Sequence, residues 1–118
     1  MNYFKELKVW QKSMELLTAV YLKSRDFPKE EIYGLTAQIR RAAVSIPSNI
    51  AEGCGRKTEK DFYNFLSISL GSAFELETQL IISKNLEYIT EDDFKIFELE
   101  LHHIQNMIIK LQSSLSKF

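Results

Sequence analysis

Apolar side chains recur at alternating steps of three and four along nearly the whole chain, and no segment outside that period carries the alternating pattern of a strand. That period keeps one face of an α-helix against a core, whereas a half-buried strand would repeat every second position. In the first segment the seam reads Tyr3, Leu7, Trp10, Met14, Leu17 and Tyr21, and it ends around Ser24-Arg25-Asp26-Phe27-Pro28. A second helix is expected from Pro28 to Glu52, with core residues Leu35, Ile39, Ala42, Ile46 and Ile50. Proline suits a first helical turn, and Glu30 and Glu31 sit where the positive end of the helix dipole favours acids. Pro47 lies inside the pattern, where it removes a backbone hydrogen bond and crowds the preceding turn. A kink or break is therefore expected near Ser45, and Gly53-Cys54-Gly55 then stops the helix.

Two further helices announce their own beginnings. Thr58-Glu59-Lys60-Asp61 and Thr90-Glu91-Asp92-Asp93 both place a threonine three residues before an acid, the spacing of a capping box. The third seam is Phe62, Leu66, Ser69, Ala73, Leu76 and Leu80. The fourth is Phe94, Phe97, Leu101, Ile104, Ile108, Leu111 and Leu115. The connections are short, and short links between helices force neighbours to lie antiparallel. The expected fold is all-α: one domain over residues 1–118, an antiparallel up-down-up-down four-helix bundle with its second helix kinked at Pro47. A length of 118 residues suits a single core of this kind.

The third helix carries more apolar surface than one core can use. Tyr63, Leu70, Phe74 and Ile81 follow at steps of seven, four and seven and form a second seam beside the first. Contiguous exposed apolar patches are unusual on monomers, so this seam is expected to meet another subunit.

Composition narrows the partners. The formal net charge is −1 with 26% charged residues, which argues against tight non-specific binding of phosphate backbones. Charge is nonetheless segregated along the chain. Arg40, Arg41, Arg56, Lys57 and Lys60 are expected around the loop between the second and third helices. Glu87, Glu91, Asp92, Asp93, Glu98 and Glu100 are expected around the next loop, at the opposite end. Arg56, Lys57 and Lys60 are the candidate nucleic-acid contacts, because a glycine-bounded loop is exposed. The single cysteine excludes an internal disulfide. The N-terminal residues form no signal-peptide core, and no uncharged stretch is long enough to span a bilayer. The expected location is the cytoplasm, with no membrane partner.

Catalytic and metal chemistry find little support. Glu100 and His103 have the Glu-x-x-His spacing of di-iron bundles, but His102 and His103 are the only histidines, so a second such motif cannot exist. Adjacent helical residues also diverge, so no metal site and no cofactor are expected within a subunit. Cys54 has no histidine near it in sequence to act as a base, no phosphate loop of recognised spacing occurs, and a non-enzymatic role follows. What remains is a polar line on the second helix, Gln38, Arg41, Ser45, Asn49 and Glu52, with Arg40 and Ser48 beside it. Asn64, Gly71, Glu75 and Thr78 make a comparable line on the third helix. Gly71, Ser72 and Ala73 would let the two helices approach, bringing Glu75 to Arg40 or Arg41. A half-buried polar line needs internal partners, so these residues are expected to be structural.

Four stretches carry a resemblance beyond pattern: Leu7-Lys8-Val9-Trp10-Gln11, the run from Phe27 to Leu35, the run from Gln38 to Gly53, and Gly71 to Thr78. They resemble the bacterial four-helix-bundle proteins of the 23S rRNA intervening-sequence family, over nearly the whole chain. The resemblance implies a bundle that assembles into a homopentameric ring, in a family with no established enzymatic activity. It also implies kinship with the accessory proteins of diversity-generating retroelements, which work beside a reverse transcriptase and bind nucleic acid through a basic pentamer surface. The expectation is a non-enzymatic, homo-oligomeric accessory or scaffold protein near RNA or a ribonucleoprotein. The alternative is an oligomeric protein-interaction module without a nucleic-acid partner.

Overall fold

The computed structural model describes residues 3–115 and residue 118, and among these it holds four α-helices and no strand. They are α1 (Lys8–Ser24), α2 (Leu35–Cys54), α3 (Glu59–Asn85) and α4 (Glu91–Ser113), with short 3-10 turns at Phe4–Glu6 and Lys29–Glu31. They pack side by side into a bundle 44 × 24 × 22 Å across. Both threonine signals cap as their spacing requires. The Asp61 backbone N–H donates to Thr58 Oγ1 at 3.1 Å, and the Asp93 N–H donates to Thr90 Oγ1 at 3.0 Å.

The second helix starts seven residues later than Pro28, at Leu35. The chain after the proline makes a 3-10 turn and then leaves helical geometry at Gly34. The Glu31 carboxylate replaces the missing cap by accepting from the Leu35 N–H at 3.1 Å. A β-carbon on Gly34 would sit 2.8 Å from that same carboxylate oxygen, so the glycine makes room for the cap. Nor does α2 break near Ser45, because it is continuous through Pro47 to Cys54. The third helix ends without a glycine. Glu87 takes φ 64°, and the Tyr88 N–H reaches back to Ser83 O at 2.8 Å while the Glu87 N–H reaches Lys84 O at 2.9 Å.

The seams of α2 and α3 and the first five positions of the α4 seam, through Ile108, are buried, with Ile50, Leu66, Leu76, Leu101 and Ile104 wholly enclosed. The first helix is turned differently from its sequence seam. It buries Val9, Ser13, Leu16, Val20 and Ser24, leaving Met14 and Tyr21 exposed and Trp10 and Leu17 half-buried. Two serines can face the core because their hydroxyls are satisfied within the helix: Ser13 donates to Val9 O at 2.6 Å and Ser24 to Tyr21 O at 3.1 Å.

The tightest approach joins α2 to α3, whose facing residues pair in opposed chain order. Ser69 donates to Ile46 O at 2.8 Å, the Ser45 and Ser72 hydroxyls meet at 2.8 Å, and Gly53 lies under Phe62 and Phe65. A β-carbon on Gly53 would stand 2.5 Å from Phe65 Cβ, an atom fixed to its own helix. Gly71, by contrast, has nothing near it and faces outward. Gly53→Ala should therefore destabilise by about 1–3 kcal/mol in urea unfolding, although alanine is the better helix former by about 1 kcal/mol. An alanine variant as stable as the parent or more so would show that the two helices can part freely.

Candidate functional site

The polar line divides in two. Ser45 and Asn49 are half-buried and bonded internally, with Asn49 Nδ2 donating to Ser45 O at 2.8 Å and to its hydroxyl at 2.9 Å. The carbonyl that Pro47 deprives of its helical donor is that of Ala43, whereas Asn49 serves the neighbouring carbonyl of Ser45 and Ser69, from α3, that of Ile46. Arg40 turns toward α1, donating to Ser24 Oγ at 2.8 Å with its guanidinium 4.8 Å from the Tyr21 ring centre. Gln38, Arg41, Glu52 and Glu75 are exposed. Among the described residues no ion pair joins Glu75 to Arg40 or Arg41: Arg40 is engaged with α1, and Arg41 and Glu75 are exposed.

The second apolar seam also divides. Leu70 is half-buried and packs against the core, while Tyr63, Phe74 and Ile81 are exposed, Phe74 by 50%. Ile68 (53%) and Ile82 (41%) join them on the outward face of α3, and the seven-residue steps passed over both. By length and composition alone α3 is apolar enough to cross a bilayer, although Glu75 and Glu77 interrupt its uncharged run. Its inward face is that of a bundle helix, with Ser69, Ser72, Gln79 and Ser83 buried against neighbours.

Cationic residues do not gather as their order suggested. Arg40 and Arg41 lie near the start of α2, roughly 20 Å along the helix from the α2–α3 connection at 1.5 Å per residue. Arg56, Lys57 and Lys60 are exposed at that connection. Arg56 is braced there, paired with Glu52 at 3.1 Å and lying 4.7 Å over the Phe65 ring. The start of α1 and the end of α4 meet in a groove lined by Lys8, Leu7, Met107, Lys110 and Leu111, continuing past Lys12 and His103. Those lysines come from helices far apart in the chain, which hides the cluster from a linear scan. At the opposite end three acids have partners: Lys23 pairs with Asp93 at 2.9 Å, Lys84 approaches Glu91 at 3.8 Å, and Tyr88 donates to Glu31 at 2.8 Å. The Lys23 bond holds Asp93 below the usual carboxylate range, and the Glu31 bond raises the Tyr88 phenol.

Midway along α3 and α4, Glu77 accepts from His102 Nε2 at 2.9 Å and from Gln105 Nε2 at 2.9 Å. The Gln105 bond, ahead of the imidazole, lowers the Glu77 carboxyl below its ordinary value. His102 thus faces α3 while His103 lines the α1–α4 groove, the divergence that helical geometry imposes on neighbours. Glu98, one turn before His102, stands beside the pair. Cys54 is half-buried, and desolvation raises its thiol, the opposite of an activated nucleophile.

A model of the 23S rRNA-intervening sequence protein family matches residues 5–110. The chain belongs to that family. Among solved structures it is similar to a protein of unknown function from the S23 ribosomal protein family of Bacteroides thetaiotaomicron, at 27% identity and a TM-score of 0.83. The likeness covers 90% of this chain and 96% of that one. No curated protein matches the chain. The long motif from Gln38 to Gly53 thus includes the α2 residues that lock onto α3, Ser45, Ile46 and Gly53. Its exposed members Gln38, Arg41, Val44, Ser48 and Glu52 lie outside that contact.

Proposed function

We propose that this protein is a non-enzymatic, self-associating bundle, a homopentamer, that serves as an accessory or scaffold to RNA or a ribonucleoprotein in the cytoplasm. The observation that carries the proposal is the outward face of α3, where Ile68, Phe74, Ile81 and Ile82 stand exposed on a single chain. Apolar area of this kind gains roughly 25 cal/mol per Å² when a partner covers it. Family membership supports an RNA setting, and the exposed Lys57 and Lys60 beside the braced Arg56 offer phosphate contacts at the α2–α3 connection. Repetition around a ring would add weak contacts together. The overall charge of −1 favours the second reading, an oligomeric protein-interaction module without nucleic acid.

Phe74→Glu tests the association. Phe74 is half exposed within one chain, so the variant should keep its helical circular dichroism while sedimenting as smaller species than the parent. An assembly unchanged by the charge would place the interface elsewhere.

Replacing Arg56, Lys57 and Lys60 together by Ala tests the RNA role, with assembly and melting compared first because Arg56 also packs on Phe65. Binding of the parent to a mixed-sequence single-stranded RNA should weaken with salt, and each lost phosphate contact should reduce the log–log slope by about 0.7. No salt-sensitive binding by the parent would remove RNA from the proposal and leave the interaction module. Equal binding by the triple variant would move the contact surface away from this loop, toward Lys8, Lys12 and Lys110.

A further inference from the structure

Glu98 and His102 are spaced i, i+4 on α4, so their side chains rise on one face a turn apart. Glu77 meets them from α3, and one ligand atom from each of the three lies within 4.8 Å of the others. We propose that Glu77, Glu98 and His102 form a divalent transition-metal site, of the zinc class, that clasps α3 to α4. A linear reading looks for ligand pairs within one helix and finds Glu100 with His103, whose imidazole lines a different groove. The third ligand comes from a residue 25 positions away from His102, so only the packed helices reveal the set.

The chemistry of the donors selects the ion. One imidazole nitrogen and two carboxylates suit zinc and its neighbours, and three protein ligands leave a coordination position for water. A tetrahedral ion with ligand bonds of about 2.0 Å holds its ligands about 3.3 Å apart, so the Glu77–His102 pair, 2.9 Å apart, opens a little and Glu98 closes in from within 4.8 Å. Glu77 is already oriented, because the buried Gln105 donates to its other oxygen at 2.9 Å. A hydrogen bond to a ligating carboxylate from behind is the outer support that metal sites use. Glu77 is ionised and can only accept, so Nε2 carries the proton in the metal-free protein. Binding moves that proton to Nδ1 or to solvent, and the ion takes its place between the imidazole and the carboxylate.

Glu98 provides the decisive control. Among the described residues it makes no hydrogen bond or ion pair, so a purely structural Glu77–His102 bridge has no need of it. Calorimetric titration of the untagged, full-length protein with zinc chloride should show one ion per chain, and zinc should raise Tm until a chelator is added. Glu98→Gln should weaken binding at least ten-fold while leaving the metal-free Tm unchanged, and His102→Ala should abolish binding. His103→Ala should bind as the parent does. Absence of saturable binding up to millimolar zinc would overturn the site. Binding that survives both Glu98→Gln and His102→Ala would overturn it equally, by placing the ion on other ligands.

Discussion

The close approach of α2 to α3 governs how the rest of the molecule is arranged. Helices can come this near only where one side presents no side-chain bulk, and Gly53 supplies that under Phe62 and Phe65. Farther along, small polar residues continue the contact, with Ser69 bonded to the Ile46 carbonyl and Ser45 to Ser72. Hydroxyls at such a seam join two backbones at a separation that larger apolar side chains would prevent. They also explain how a helix containing Pro47 remains continuous, because its neighbour holds the chain on either side of the proline. Proline removes one internal bond, and close tertiary packing offsets that loss.

Once α3 gives its small residues to α2, its large ones must go elsewhere. Phe62, Leu66, Leu76 and Leu80 fill the core, while Ile68, Phe74, Ile81 and Ile82 remain on the outward face. The same helix therefore has two apolar sides, one occupied within the chain and one not. This accounts for a composition that would serve a membrane-spanning segment on a helix whose buried positions include three serines and a glutamine. It is also why self-association is the physical centre of the proposed function. On the flank toward α4, Glu77, His102 and Gln105 form the polar crossing that ties the bundle's last helix in place.

Much of this was legible in the residues themselves. Periodicity located the core faces of α2 and α3 and most of that of α4, since each has one strongly apolar stripe, and Thr58 and Thr90 marked two helix starts. Periodicity failed on α1, which offers two plausible stripes. The larger residues Met14 and Tyr21 stayed outside while Ser13 and Ser24 went in, because a serine that bonds its own helix is effectively small and apolar. The start of α2 was hidden because its cap comes from the Glu31 side chain after a non-helical turn. Glu87 ends α3 in a conformation usually reserved for glycine, so no stop signal was visible. Sites assembled between helices were the least legible. Arg40 met α1 rather than α3, and Glu77 found His102 across a contact that no local motif encodes.

The account turns on whether the outward face of α3 is covered in solution. The direct measurement is the molar mass of the unmodified protein by light scattering, across a range of micromolar concentrations. The account predicts a mass several times the 13.8 kDa of one chain, with the pentamer as the expected multiple. A mass that stays at one chain throughout that range would contradict it.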